Sequence, residues 1–236
     1  EIGRRNRAEY EDFEFSDVTT NYVDIIDSAG DWAYHGLIGN DIGYIYLPEI
    51  HDIPDDWDGY LTAVLEGFSN TKGLIIDARD NDGGEDESAR RIAGYLTDIE
   101  RPYMRSQYKI GPGPDDYAPW REWSIIPVTD KPYLKPIILL TNRYTFSAGE
   151  TFTLAMRTIP HVTIMGDTTG GGFSDAVERQ LPNGWLYRMS VGDYRDQDGI
   201  SYESFGVPPD IRLVNTTEDL ENNVDNVLEA AIDALQ

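Results

Sequence analysis

LLTNRYTFSAGETFTLAM runs from Leu139 to Met156. It opens as an apolar strand within PIILLTN and closes in a helical pattern, SAGETFTLAMRTI. A strand that turns sharply into a helix is the building unit of an α/β fold. The corner carries a serine, Ser147, among small residues. A serine there is either a helix N-cap or a nucleophile. The cap is the ordinary role, because serine oxygen satisfies free N–H groups of the first turn. The second role follows from the same geometry. A helix N-terminus presents unbonded N–H groups and partial positive charge, which stabilise an oxyanion formed beside the serine.

The units on either side repeat the pattern. DIGYIYLPEI gives a strand at Ile42–Leu47. In the next stretch Trp57, Leu61, Val64, Leu65 and Phe68 recur at helical spacing, with Asp55 or Asp56 available as N-cap. KGLIIDARDNDGG is a buried strand, Gly73–Asp77, running into a glycine turn, and DESARRIAGYLTD is a helix. VTIMGD is another strand, followed by the loop TTGGG. DAVERQLPNGWLYRMSVGDY reads as a hairpin turning at Pro182–Gly184. A helix is expected over Thr217–Leu235, a short helix within TNYVDIIDSAGDWAY, and over 101–131 a long excursion for which strands with functional loops are one reading. Alternating strands and helices predict an α/β fold with a mostly parallel sheet and flanking helices. Sites in such sheets lie at the carboxyl ends of strands. Three loops qualify: Asp80–Gly84, Tyr144–Ser147 and Asp167–Gly172.

Composition narrows the chemistry. The 236 residues suit one large domain, here expected at 41–236 behind a short N-terminal segment, 1–40. A formal net charge of −24 repels phosphate backbones and anionic membranes, so nucleic acid is not an expected partner. The same charge disfavours coenzyme A phosphates, and with them an acyl-CoA enzyme. Absence of cysteine excludes disulfides, thiolate zinc sites and a cysteine nucleophile. The three histidines lack ligand spacing, so no metal and no cofactor is expected. GDTTGGG lacks the Lys-Ser/Thr ending of a nucleotide loop. No apolar run reaches the ~20 residues of a membrane span, and EIGRRNR does not open a signal peptide.

The glycine turn complements Ser147. Two glycines after a buried strand permit positive φ and close backbone approach. They make either a plain tight turn or a second oxyanion donor, from Gly83 or Gly84, to converge with the N–H of Ala148.

Taken in order, these motifs make the chain resemble the S41 peptidases, the family of carboxy-terminal processing proteases and tricorn protease. GLIIDARDNDGG is similar to their Asp-x-Arg-x-Asn-x-Gly-Gly motif at Asp77, Arg79, Asn81, Gly83 and Gly84. PIILLTNRYTFSAGE resembles their nucleophile segment and places the serine on Ser147; VTIMGDTTGGG and ESFGVPPDIRL match later segments. The likeness runs from about Asp41 to Leu213. It implies a core like that of crotonase and Clp protease, a peptide or protein substrate, and a location outside the cytoplasm.

The resemblance also implies a base. Processing proteases use a lysine about two dozen residues after the serine, and this chain has no lysine after Lys135. The tricorn-like branch uses a histidine oriented by a late glutamate. Glu203, 56 residues after Ser147, stands at the matching position before Gly206-Val207. His35 precedes the first core strand and is the best histidine present; His51 and His161 read as surface residues. The segment around His35 resembles a linker more than the family's usual setting. A base encoded upstream of Glu1, or lost, is the competing reading. The alternative function is therefore a catalytically incomplete module that binds peptide or an apolar ligand.

Overall fold

A computed structural model describes residues 20–28, 33–50 and 57–236. Seven strands form the main sheet in the order β1-β2-β3-β4-β7-β8-β12. These are β1 (Ile25–Ser28), β2 (Tyr34–Ile38), β3 (Ile42–Tyr46), β4 (Gly73–Asp77), β7 (Ile137–Thr141), β8 (Val162–Gly166) and β12 (Ile211–Arg212). From β3 to β12 every pairing is parallel, whereas β1 and β2 add an antiparallel edge. Helices α1 (Trp57–Gly67), α2 (Asp86–Ala93) and α3 (Ala148–Arg157) make the crossovers, and α4 (Thr217–Glu221) and α5 (Asn226–Ala234) close the chain. A three-stranded sheet, β11 (Gly192–Asp196), β5 (Arg101–Tyr108) and β6 (Arg121–Ile125), stands apart from the main one, as does a hairpin of β9 (Ala176–Gln180) and β10 (Leu186–Ser190).

The central strands are apolar throughout because both their faces are covered. All five residues of β4 and of β7 are buried. Successive side chains of a strand point to opposite faces, and the two cores divide accordingly. Ile45, Leu74, Ile76, Ile137, Leu139 and Ile164 enter the core beneath α1, α2 and α3. Tyr44, Ile75, Ile138, Leu140 and Met165 enter the core beneath α5. Each fully buried Ile or Leu contributes roughly 1.5–3 kcal/mol. An unbroken apolar run buried on both sides is what a parallel interior strand requires.

Two expectations change. In the stretch expected to hold a helix, Thr20 and Asn21 are helical, but residues 25–28 and 34–38 are strands. Pairing of β2 with β3, and of β1 with β2, overrides local preference there, and His35 lies in a strand rather than a linker. The excursion over 101–131 contains the β5–β6 pair, the strands that are one reading of it. The C-terminal helix is broken: Asn223 takes φ 55°, and Asp225 begins α5 as its N-cap, accepting from Leu228 N–H at 3.0 Å. That break turns the Asp225 carboxylate inward onto Arg79. The expected hairpin is present, with Gly184 at φ 87° in its turn.

Candidate active site

Asp77, Thr141 and Gly166 end the parallel strands β4, β7 and β8 at one edge of the sheet. The loops that leave them are stitched together by backbone bonds. Phe146 N–H donates to the Asn81 carbonyl at 2.8 Å, and Thr145 Oγ1 donates to the Ala78 carbonyl at 2.8 Å. Asn81 is fully buried; its Oδ1 accepts from Gly83 N–H at 2.9 Å and its Nδ2 donates to the Leu47 carbonyl at 2.6 Å. The Asn81 side chain thus fixes the glycine turn against the end of β3.

Ser147 occupies the N-cap position of α3, but with φ 53° and ψ −120°. A capping serine normally has extended backbone. Positive φ at a residue with a Cβ costs of order 1–3 kcal/mol, and such residues cluster at functional sites. A serine raised on a strained strand-to-helix turn exposes its hydroxyl above the sheet. Ser147 is half-buried at that corner.

Gly83 is where the two loops touch. A Cβ built on it would lie 2.6 Å from Ser147 Cβ and 2.7 Å from the Phe146 carbonyl oxygen, at a φ of 96°. Only glycine permits that approach. The N–H of Gly83 is already given to Asn81. The N–H groups of Gly84 and Ala148 have no acceptor among the described residues. Gly83→Ala is expected to lower stability by about 1–3 kcal/mol, as overpacking does, and to abolish reaction of Ser147 with a fluorophosphonate. Thermal unfolding and labelling check this; a stable variant that labels normally would contradict it.

Glu203 lies on the neighbouring loop. Its Oε2 accepts from the N–H groups of Phe173 and Ser174 at 3.1 and 3.0 Å, and its Oε1 from Ser190 Oγ at 3.0 Å. Glu150, which the motif reading passed over, is fully buried. Burial pushes its carboxyl up to about 7, against hydrogen bonds from Thr169, Gly171, Gly172 and Ser147. The spacing Ser-x-x-Glu is the sequence signal that marks it. The glycines at 170 and 172 let their loop run beneath the Phe146 ring, which a Cβ on either would strike.

The histidines are not gathered at this corner. His35 Nδ1 shares a hydrogen bond with Tyr60 Oη at 2.8 Å, and its ring meets Tyr60 and Phe68 edge-on. Burial lowers its pKa, and Asp27 opposes the shift. It sits on β2, three positions from β7 in the sheet, roughly 14 Å at about 4.8 Å per strand. None of its hydrogen bonds or ring contacts is with Ser147 or Glu203. His161 is half-buried rather than a surface residue, and its carbonyl receives Ile137 N–H at 2.8 Å. That places it at the opposite end of β7 from Ser147. His51 lies outside the described residues.

The profile of Peptidase family S41 matches residues 41–213, well over half of the chain. The chain belongs to peptidase family S41. Tricorn protease of Thermoplasma volcanium is 30% identical over 203 residues, which are 84% of this chain and 18% of that protein. Carboxy-terminal processing protease CtpA of Bacillus subtilis is 24% identical over 182 residues, 76% of this chain and 36% of that protein. The chain thus spans well under half the length of these curated relatives. Among solved structures, a Parabacteroides merdae protein assigned as a peptidase superposes with a TM-score of 0.84 at 32% identity, covering 94% of this chain and 70% of the other. Mature CPAF in complex with lactacystin shares the fold, with a TM-score of 0.74 at 17% identity. The mixed α/β fold with a mostly parallel sheet is that of the S41 neighbours.

Proposed function

We propose that Ser147 is the nucleophile of this S41 peptidase and that the N–H groups of Ala148 and Gly84 receive the oxyanion. Gly83 serves by leaving space, since its own N–H is bonded to Asn81. The observation that carries the reading is the Ser147 backbone, strained at φ 53° and packed against the Gly83–Gly84 turn. Attack on a peptide carbonyl would place negative charge where two unbonded N–H groups and a helix N-terminus meet. A base must take the hydroxyl proton and pass it to the leaving amine. In this reading a histidine outside the described residues does so, since His35 and His161 lie away from this corner, and Glu203 orients it across the glycine loop. A location outside the cytoplasm belongs to the same proposal and rests on family resemblance alone. Among the described residues no helix is long and apolar enough to cross a membrane.

The test is Ser147 labelling by a fluorophosphonate together with hydrolysis of a mixed peptide library. Covalent label on Ser147 and cleavage are expected from the wild-type chain. A chain that does neither while binding peptide would uphold the binding-only reading, which the Tyr60 and Phe68 contacts of His35 favour.

The acid–base half has its own prediction. Glu203→Gln is expected to slow hydrolysis by about 10–100-fold, up to the lower end of the 10²–10⁴-fold that acid–base catalysis contributes, because an orienting group is lost and not the base itself. His35→Ala is expected to stay within about threefold of wild type, because its partners lie on α1. Steady-state kinetics decide; a His35→Ala loss matching that of a serine knockout would make His35 the base.

A further inference from the structure

Glu150 is a fully buried carboxylate one helical turn beyond Ser147, and the chemistry described so far does not use it. Four donors converge on it. Thr169 Oγ1 at 2.6 Å and Gly171 N–H at 2.7 Å reach Oε1; Gly172 N–H at 2.7 Å and Ser147 N–H at 3.3 Å reach Oε2. A capping-box glutamate needs only the bond to Ser147. The other three come from the loop after β8. That loop runs on into Phe173 and Ser174, whose N–H groups hold Glu203. It is also bonded directly to the segment that carries Glu203. Ser204 N–H donates to the Gly171 carbonyl at 2.7 Å, and Val207 N–H to Thr169 Oγ1 at 2.7 Å.

We propose that Glu150 is a positioning residue whose carboxylate straps the Ser147 corner to the glycine loop and so fixes the placement of Glu203 relative to the serine. The proposal rests on Ser147 being the nucleophile. Its physical basis is capacity. Above the value of about 7 to which burial pushes it, the carboxyl is ionised, offers about four acceptor sites and donates nothing. Here four donors, three of them backbone N–H groups, use that capacity, and bonds to an ionised acceptor are about twice as strong as neutral ones. Glutamine has nearly the same size but replaces one oxygen with an NH₂ group. Two of the four donors would then face another donor. The strap would open on one side without a cavity being made.

The experiment compares the wild-type chain with Glu150→Gln and Thr169→Val by fluorophosphonate labelling of Ser147 and by ¹⁵N–¹H spectra. For Glu150→Gln the limiting labelling rate is expected to fall by about 10–100-fold, with apparent probe affinity unchanged within threefold. This sits inside the range that misplacement of reacting groups costs. The amide signals of Ser147 and Gly172 should move, and with them those of Phe173 and Ser174, which touch Glu203 rather than Glu150. Glu150→Gln that labels within twofold of wild type, or that loses affinity instead of limiting rate, overturns the proposal. Should Glu150→Gln fail to fold, Thr169→Val decides, because it removes one donor to the carboxylate, together with the acceptor of Val207 N–H, and leaves the carboxylate itself. It is expected to slow labelling several-fold, and an unchanged rate overturns the strap. If the wild type takes no label, the nucleophile reading fails by itself and the amides judge the strap. Phe173 and Ser174 signals that shift in Glu150→Gln support it, and unmoved signals refute it.

Discussion

Ser147→Ala is expected to lower kcat for peptide hydrolysis by about 10⁴–10⁶-fold, as removal of a serine nucleophile does. Its stability should change little. Loss of a serine cap costs at most ~1–2 kcal/mol, and Ser147 does not have the extended backbone of an ordinary cap. The decisive companion is Ser147→Gly. Alanine keeps the penalty of a Cβ at φ 53°, whereas glycine removes it. Ser147→Gly should therefore be more stable than Ser147→Ala by about 1 kcal/mol or more, given the 1–3 kcal/mol such strain costs, and equally inactive. A residue retained for stability would not behave that way, and one retained for chemistry would. Denaturant unfolding of both variants, alongside library hydrolysis, makes the comparison. Full activity in Ser147→Ala would end the catalytic assignment.

That strain also shows what the sequence could and could not disclose. The βα order, the buried strands at Gly73–Asp77 and 137–141, and the position of Ser147 at a corner followed from apolar runs and turn residues. Those signals are local, and the parallel pairing follows from their alternation. The Gly83–Gly84 turn was visible as a loop at a strand end, and its meeting with Ser147 was an expectation drawn from chemistry. The structure adds the contact itself and a difference within the pair. Gly83 yields space and gives its N–H to Asn81, which leaves Gly84. No sequence pattern separates these two glycines, because the difference lies in where one side chain 2 residues earlier points. The edge strands were hidden for another reason. Residues 34–38 are a strand because β3 offers an edge to pair with, and residues 25–28 are a strand because β2 then offers the next, which is a tertiary cause. The break before α5 is similar. It answers to Arg79, 146 residues away in the chain.

Arg79 is the residue whose loss should cost the fold most. It is 5% exposed and lies between two buried carboxylates. Its Nε and Nη2 donate to Asp77 at 2.9 and 2.7 Å, and its Nη1 donates to Asp225 Oδ1 at 3.0 Å. Asp77 also accepts from Tyr44 Oη at 2.9 Å, and Asp225 Oδ1 from Leu228 N–H at 3.0 Å. The guanidinium therefore joins the end of β4 to the start of α5. Arg79→Met fills much of the same volume but leaves both carboxylates without a cation. Breaking a buried pair in this way costs about 3–5 kcal/mol.

The pH dependence carries the sharper test. In the wild type, burial pushes the Asp225 carboxyl up, but the charge and hydrogen bonds of Arg79 outweigh it and hold the pKa below its ordinary value. A depressed carboxylate contributes stability above its unfolded pKa of about 3.9 and loses it only as pH falls through the lower folded value. Between pH 5 and 8 this contribution is flat. Without Arg79 the burial dominates, and the Asp225 pKa rises above about 3.9. Its ionisation then opposes folding, so stability falls as pH rises through the raised pKa. Arg79→Met should accordingly narrow its deficit against the wild type on going from pH 7 to pH 5, beyond the gain that Glu150, pushed up to about 7 by burial, gives both proteins. Urea unfolding at the two pH values measures this. A loss below about 1 kcal/mol, or a pH slope equal to that of the wild type, would show that the pair carries no such burden. Because Arg79 stands two residues before Asn81, whose side chain holds Gly83, the same variant should also label more slowly at Ser147 while still folded at pH 5.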